Sequence, residues 1–162
     1  MILSELYVIK KTMPIKPENK NRYPANWTEI VKRIRKRSKG LCEKCGVRNY
    51  SVGYRDEYGD FISCSGNVTM EDYGQGINPN TGKELTFKES KEMAEWQTQN
   101  DEYGYKYIVI VLTVAHKDHI PENCSDENLA DWCQKCHNTY DAPHRKETRL
   151  QTRNLGNLII EF

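Results

Sequence analysis

Apolar positions along the chain fall into three readable patterns, separated by a long stretch with none. In residues 26–40, "NWTEIVKRIRKRSKG", Trp27, Ile30, Val31 and Ile34 recur at i, i+3, i+4 and i+7, which predicts one amphipathic helix. Asn26 is an N-cap residue type and Gly40 a natural stop. In residues 105–116, "YKYIVIVLTVAH", β-branched and apolar residues are nearly continuous, which predicts a single strand buried on both faces. "TFKESKEMAEWQTQ" predicts a shorter helix. Thr86 and Glu89 have capping-box spacing, and Phe87, Met93, Ala94 and Trp96 can face a core. "DENLADWCQKCHNTYDAPHRKETRLQTR" predicts a helix opening near Asp126 or Asn128, interrupted at its CxxC and limited by Pro143. The apolar tail "LGNLIIEF" predicts a last strand. Residues 1–22 are polar and lysine-rich, with Pro14 and Pro17, and read as an extended arm or leader.

Composition sharpens this picture. The chain has 162 residues, of which 37% are apolar and 29% charged. That suits one domain with a large insertion and a small core, so something besides apolar burial should help hold the fold. Net charge is only +1, so affinity for a polyanion must come from local clustering. Such a cluster exists: Lys32, Arg33, Arg35, Lys36, Arg37 and Lys39 crowd the 26–40 helix with no acid among them. Cations near a helix C-terminus suit its dipole, but this density also points to phosphate contact. No secretory signal and no apolar run near the roughly 20 residues of a membrane span is present, which predicts a cytoplasmic protein.

The six cysteines include two CxxC pairs, Cys42/Cys45 and Cys133/Cys136. Without a thioredoxin-like context, two such pairs predict a closed four-thiolate zinc site. Residues 46–132 lie between the pairs, so the segment at 49–104 is expected to loop out as an insertion. It is rich in Gly, Asn, Asp and Tyr, and its purpose is not readable. Its tyrosines suit base stacking or ordinary packing equally. Cys64 and Cys124 read as ordinary thiols.

Residues 114–141, "VAHKDHIPENCSDENLADWCQKCHNTYD", hold more polar chemistry than a full four-thiolate site can use. His116, Asp118, His119, Asn128 and His137 are left over. Imidazole and carboxylate suit a second divalent cation with open positions, Mg²⁺, Mn²⁺ or another, beside a histidine base. Each residue also has an ordinary reading: Asp118 as a strand-end cap, Asn128 as a helix N-cap, His137 as packing beside the zinc.

An Asp-His pair after an apolar strand, a loop, "NL" and then "CxxCH" resembles the signature of the HNH, or ββα-metal, endonucleases. With "RYPANWTEIVKRIRKRSKGLCEKCG" upstream, the likeness is to the subfamily common in phages and bacteria, over residues 22–48 and 110–145. The resemblance implies an α+β fold: a ββα-metal core formed by residues 23–48 and 105–162, stapled by four cysteines. It implies His119 as general base, Asp118 and His137 as cation ligands, and Asn128 as the residue orienting the base's loop. His116 is the competing base, or else a second ligand or phosphate contact. Tyr140, Asp141 and His144 are placed to support the site, and Arg145, Lys146, Arg149 and Arg153 to extend a phosphate track. The function implied is a metal-dependent DNA endonuclease in a bacterial cell or phage-infected host. The alternatives are a zinc-stabilised nucleic-acid-binding module without cleavage and a protein-interaction zinc domain.

Overall fold

The computed structural model describes residues 17–64 and 68–159. Most of the expected arm, residues 1–16, and the tail residues 160–162 lie outside the described residues. Where the arm was expected to run extended to residue 22, Pro17–Arg22 instead forms a 3-10 turn. Its Arg22 forks onto both carboxylate oxygens of Glu122 at 2.7 and 2.9 Å.

The fold is mixed α+β, with two small sheets and four α-helices among the described residues. Helix α1 (Trp27–Ser38) follows the predicted stripe. Ile30 and Ile34 are buried against Leu129, flanked by the half-buried Trp27 and Val114. Asn26 holds the N-cap position without a side-chain cap bond, and Lys39 and Gly40 both turn left-handed at the C-terminus. Strands β1 (Val52–Arg55), β2 (Phe61–Ser63) and β3 (Ile108–Val109) form one antiparallel sheet in the order β2-β1-β3. Gly53 belongs there for steric reasons: a Cβ would run into the Ile62 carbonyl and the Phe61 ring. Helices α2 (Val68–Gly74) and α3 (Phe87–Asn100) complete the insertion. At α3 the Thr86–Glu89 capping box is fully formed. Ala94 is buried there and Met93 half-buried, but Trp96 is half exposed rather than buried.

Three readings of the sequence change. The single strand expected at residues 105–116 is divided between two sheets. Ile108–Val109 pairs with β1, whereas β4 (Leu112–His116) pairs with β5 (Leu129–Cys133). Ile110 marks the changeover: its backbone exchanges bonds with Ser51 and Tyr50 of the insertion. The expected helix from residue 126 is instead strand β5, buried at all five positions. Burial on both faces removes the polar alternation that would have marked it as a strand. Helix α4 (Gln134–Ile159) begins only inside the second CxxC and runs on through Pro143. Residues 155–159 of the expected terminal strand therefore belong to a helix.

The core is small and divided. One cluster joins Leu112, Ala115, Ala130 and Trp132 to Cys42, Cys133 and Cys136, a second lies under α1, and a third is in the insertion around Val52, Cys64 and Ala94. Polar bridges supplement it. Arg37 forks onto Glu43 and donates to the Asp126 and Leu129 carbonyls, and Arg33 binds Asp126. Among the described residues no helix is long and apolar enough to cross a membrane.

Ile34 is fully buried and Trp96 half exposed. Urea denaturation should therefore show Ile34→Ala losing about 2–5 kcal/mol, and Trp96→Gln shifting stability by no more than about 0.5 kcal/mol.

Candidate functional site

The two CxxC pairs meet. The Sγ atoms of Cys42, Cys45, Cys133 and Cys136 all lie within 4.8 Å of one another, and the group could hold a metal ion such as zinc. The first pair sits in a tight knuckle after α1. There the Gly46 N–H donates to the Cys42 carbonyl, and Gly46 takes φ +77°, a conformation glycine adopts without strain. The second pair straddles the junction of β5 and α4. Burial works against the Cys42 thiolate. The N–H groups of Cys133, Cys45 and Lys44 outweigh it and hold its pKa below the ordinary thiol value. Burial pushes the Cys136 and Cys45 thiols up. Four sulfurs this close cannot all ionise against one another unless a cation neutralises them, and a soft tetrahedral ion suits the donor set.

Beside this cluster, β4 and β5 form a hairpin whose connection, residues 117–128, is tied down by its own polar side chains. Asn128 Oδ1 accepts from the Asp118 N–H at 3.1 Å, and its Nδ2 donates to Asp118 Oδ1 and the Asn123 carbonyl. Asp118 also accepts from the Ile120 N–H and from Asn123 Nδ2. Its slight burial is outweighed by these bonds, which hold its carboxyl below the usual range. Tyr140 on α4 donates to the Lys117 carbonyl at 2.8 Å. These contacts hold His119 at φ +60°, a backbone conformation costly for a residue other than glycine, with its ring turned toward α4.

All four histidines of the chain line one open groove of about 890 Å³. Its floor is the end of β4, its near wall the 17–23 segment, and its far wall α4. His119 stacks on His144, with ring centres 4.0 Å apart and planes at 10°. Asp141 stands between two imidazoles: its Oδ1 is 3.7 Å from His119 Nδ1 and its Oδ2 is 3.3 Å from His137 Nε2. His137 Nδ1 faces the Thr113 hydroxyl at 3.1 Å, and that hydroxyl also reaches the Trp132 carbonyl. Thr113 and Asp141 thus hold the ring from opposite sides, one facing each nitrogen. Asp141 Oδ1 is buried and makes no hydrogen bond. His116 lies apart, stacked on Trp27 at 5.2 Å and edge-on to Tyr23, with Cys124 Sγ 3.7 Å from its Nε2. Burial there depresses its pKa below the ordinary histidine value.

The expected residues therefore separate. His119, His137 and His116 line the groove, while Asn128 sits behind it in the loop. Asp118, expected as a cation ligand, turns both oxygens into the same loop. Asp141, expected only as support, occupies the central position; its i, i+4 spacing from His137 on a helix was the available signal. Among the described residues the four cysteines are the only group of three or more His, Cys, Asp or Glu whose donor atoms lie this close together. The six basic residues of the 32–39 cluster lie away from this groove. Arg33, Arg35 and Arg37 bind acceptors of the protein itself, and Lys32 pairs with Glu29. Cys64 is a buried thiol pushed up to about 11, and burial also raises Cys124.

Two outcomes follow from this geometry. Purified protein should carry one zinc per chain by atomic absorption. Cys133→Ser, or treatment with a strong chelator, should abolish the cooperative thermal transition, a loss of several kcal/mol. His116 has a folded pKa below its unfolded value, so the unfolded chain protonates first as pH falls. The stability it contributes is intact above about pH 6.5 and declines below it. Between about pH 8 and about pH 5, the fall in Tm should be smaller in His116→Gln than in wild type.

No protein-family description, curated protein or solved structure matches this chain.

Proposed function

We propose that the protein is a metal-dependent DNA endonuclease of HNH type, acting in the cytoplasm of a bacterial or phage-infected cell. The observation that carries this reading is the convergence of every histidine in the chain on one open groove, around a carboxylate oxygen that is buried and unbonded. The sequence resemblance supports it as well, because the Asp-His pair, the asparagine and the CxxCH motif supply two of those histidines, His119 and His137, and the loop residues Asp118 and Asn128.

In this reading His119 is the general base. An imidazole accepts a proton near neutral pH, and the clamped loop fixes its position. His119 takes a proton from water while the water oxygen bonds to phosphorus. The bond from phosphorus to the 3′ oxygen then breaks, leaving a 5′-phosphate and a 3′-hydroxyl that takes its proton from solvent. His137 and Asp141 are the residues that would hold a Mg²⁺ or Mn²⁺ ion. Asp141 Oδ1 is buried without a hydrogen bond and Oδ2 lies 3.3 Å from His137 Nε2, so the two side chains offer oxygen and nitrogen ligands side by side, and Thr113 orients the imidazole from behind. Such an ion, when bound, would neutralise charge building on the phosphoryl group. Asp118 keeps the loop in shape rather than binding it.

The reading as a zinc-stabilised binding module without cleavage has one observation in its favour: the groove does not by itself bring three ligand atoms as close together as the cysteines do. Plasmid assays separate the two. Zinc-loaded protein should nick supercoiled plasmid when Mg²⁺ or Mn²⁺ is added. His119→Ala should lower the rate about 10²–10⁴-fold with DNA affinity unchanged. Asp141→Ala should lose rate and require more added metal. Salt-sensitive binding by wild type with no nicking under any divalent cation would decide for the binding module.

A further inference from the structure

The far wall of the groove carries a feature that the hydrolytic chemistry does not use. Arg145, Arg149 and Arg153 recur at i, i+4 and i+8 on α4, and all three line the groove together with Thr148 and Thr152. The two threonine hydroxyls donate to carbonyls one turn back along the helix, at 2.9 Å each. That leaves the guanidinium groups as the polar reach of this wall. Arg145 is anchored: its Nη1 and Nη2 bind the Asn138 side chain and carbonyl at 3.3 and 2.6 Å. This fixes its direction and leaves further N–H groups of the fork unused. Among the described residues Arg149 and Arg153 have no side-chain partner, and both are exposed. The three cations of one face thus form a ladder running outward from His144, which stacks on the base.

The step of the ladder is about 6 Å, four residues of helical rise. That is of the order of the distance between neighbouring phosphates along one nucleic-acid strand. A solvated face would tolerate any spacing and would carry acids as readily as bases. Here the groove-lining residues of α4 from Arg145 outward are arginines and threonines, with no acid among them, in a protein whose net charge is +1 and whose other basic cluster, on α1, is mostly bound to its own backbone and carboxylates. We infer that α4 is the backbone guide of the substrate. One strand of a DNA duplex lies along it, and Arg145, Arg149 and Arg153 each contact one of three successive phosphates to one side of the scissile one. This rests on the nuclease reading for its register but not for its binding energy.

The test is the salt dependence of binding. A fluorescently labelled duplex is titrated by anisotropy with zinc-loaded protein and no added Mg²⁺ or Mn²⁺, over a range of KCl concentrations. Each phosphate contact contributes about 0.9 to the slope of log affinity against log salt. The triple variant Arg145→Gln/Arg149→Gln/Arg153→Gln should therefore show a slope shallower by about 2.7. The corresponding triple Arg→Lys variant, which keeps the charge, should retain most of the wild-type slope. Lys88→Gln/Lys91→Gln/Lys106→Gln, which removes as much charge from exposed positions on the insertion and its edge, should leave the slope unchanged. The inference is overturned if the Arg→Gln variant keeps the wild-type slope, if the insertion variant loses as much, or if wild type does not bind the duplex. Plasmid nicking by the same preparations keeps the two readings distinct. Nicking with a slope indifferent to the three arginines removes the ladder and leaves the nuclease. The predicted slope change without nicking leaves the ladder and removes the nuclease.

Discussion

The structure depends on the meeting of four thiols from two places far apart in sequence. Cys42 and Cys45 follow α1, and Cys133 and Cys136 join β5 to α4. Everything arranged around the histidine groove is set by that junction. It fixes where β5 ends and where α4 starts, and therefore which way His137 and Asp141 project. The apolar clusters on either side are small, and the one nearest the junction is built partly from the cysteines themselves. A core of that size stabilises little, since each buried aliphatic side chain contributes about 1.5–3 kcal/mol and backbone entropy opposes it at every residue. Coordination at the thiols would add a term of a size that apolar burial here cannot match.

Electrostatics divides the molecule's cations into two populations. Four of the six at α1, Lys32, Arg33, Arg35 and Arg37, are used internally. Arg33 and Arg37 reach across to Asp126, Glu43 and the Leu129 carbonyl, and so bind the helix to the hairpin beneath it. On the groove side of α4, Arg145 binds only Asn138 of its own helix, and Arg149 and Arg153 have no such acceptor among the described residues. Both populations look alike as strings of Lys and Arg. They differ because α1 packs against strand ends and acidic loop residues, whereas the groove side of α4 faces open space.

The sequence was legible wherever a residue's role is local. The stripe of α1, the Thr86–Glu89 capping box and the CxxC knuckle are all readable because they depend on neighbours within one or two turns. Legibility failed where the partner is distant. Leu129–Cys133 was expected as helix because its strand character depends on pairing with β4, and because burial on both faces removes the alternating signal. The 105–116 run was expected as one strand because nothing local marks Ile110 as the point where the pairing partner changes. Around the groove, His119, His137 and the loop residue Asn128 stood out in the sequence by order and spacing. The positions of the two carboxylates could not, because they depend on Asn123 and Asn128 closing the loop on Asp118 and on one helical turn bringing Asp141 under two imidazoles.

Cys136 and His137 are adjacent on α4, and consecutive helical residues point about 100° apart. One sends its sulfur into the thiol cluster while the other sends its ring into the groove. A single inserted residue between them would swing the imidazole round the helix and disconnect the two centres. The inserted segment at 49–104 has no such phase to keep, because none of its residues lines the groove or joins the thiol cluster. The protein is thus rigid in length around the two centres and permissive over about a third of its chain. Variation in size among chains of this architecture should accumulate in that interval and be refused at the first turn of α4.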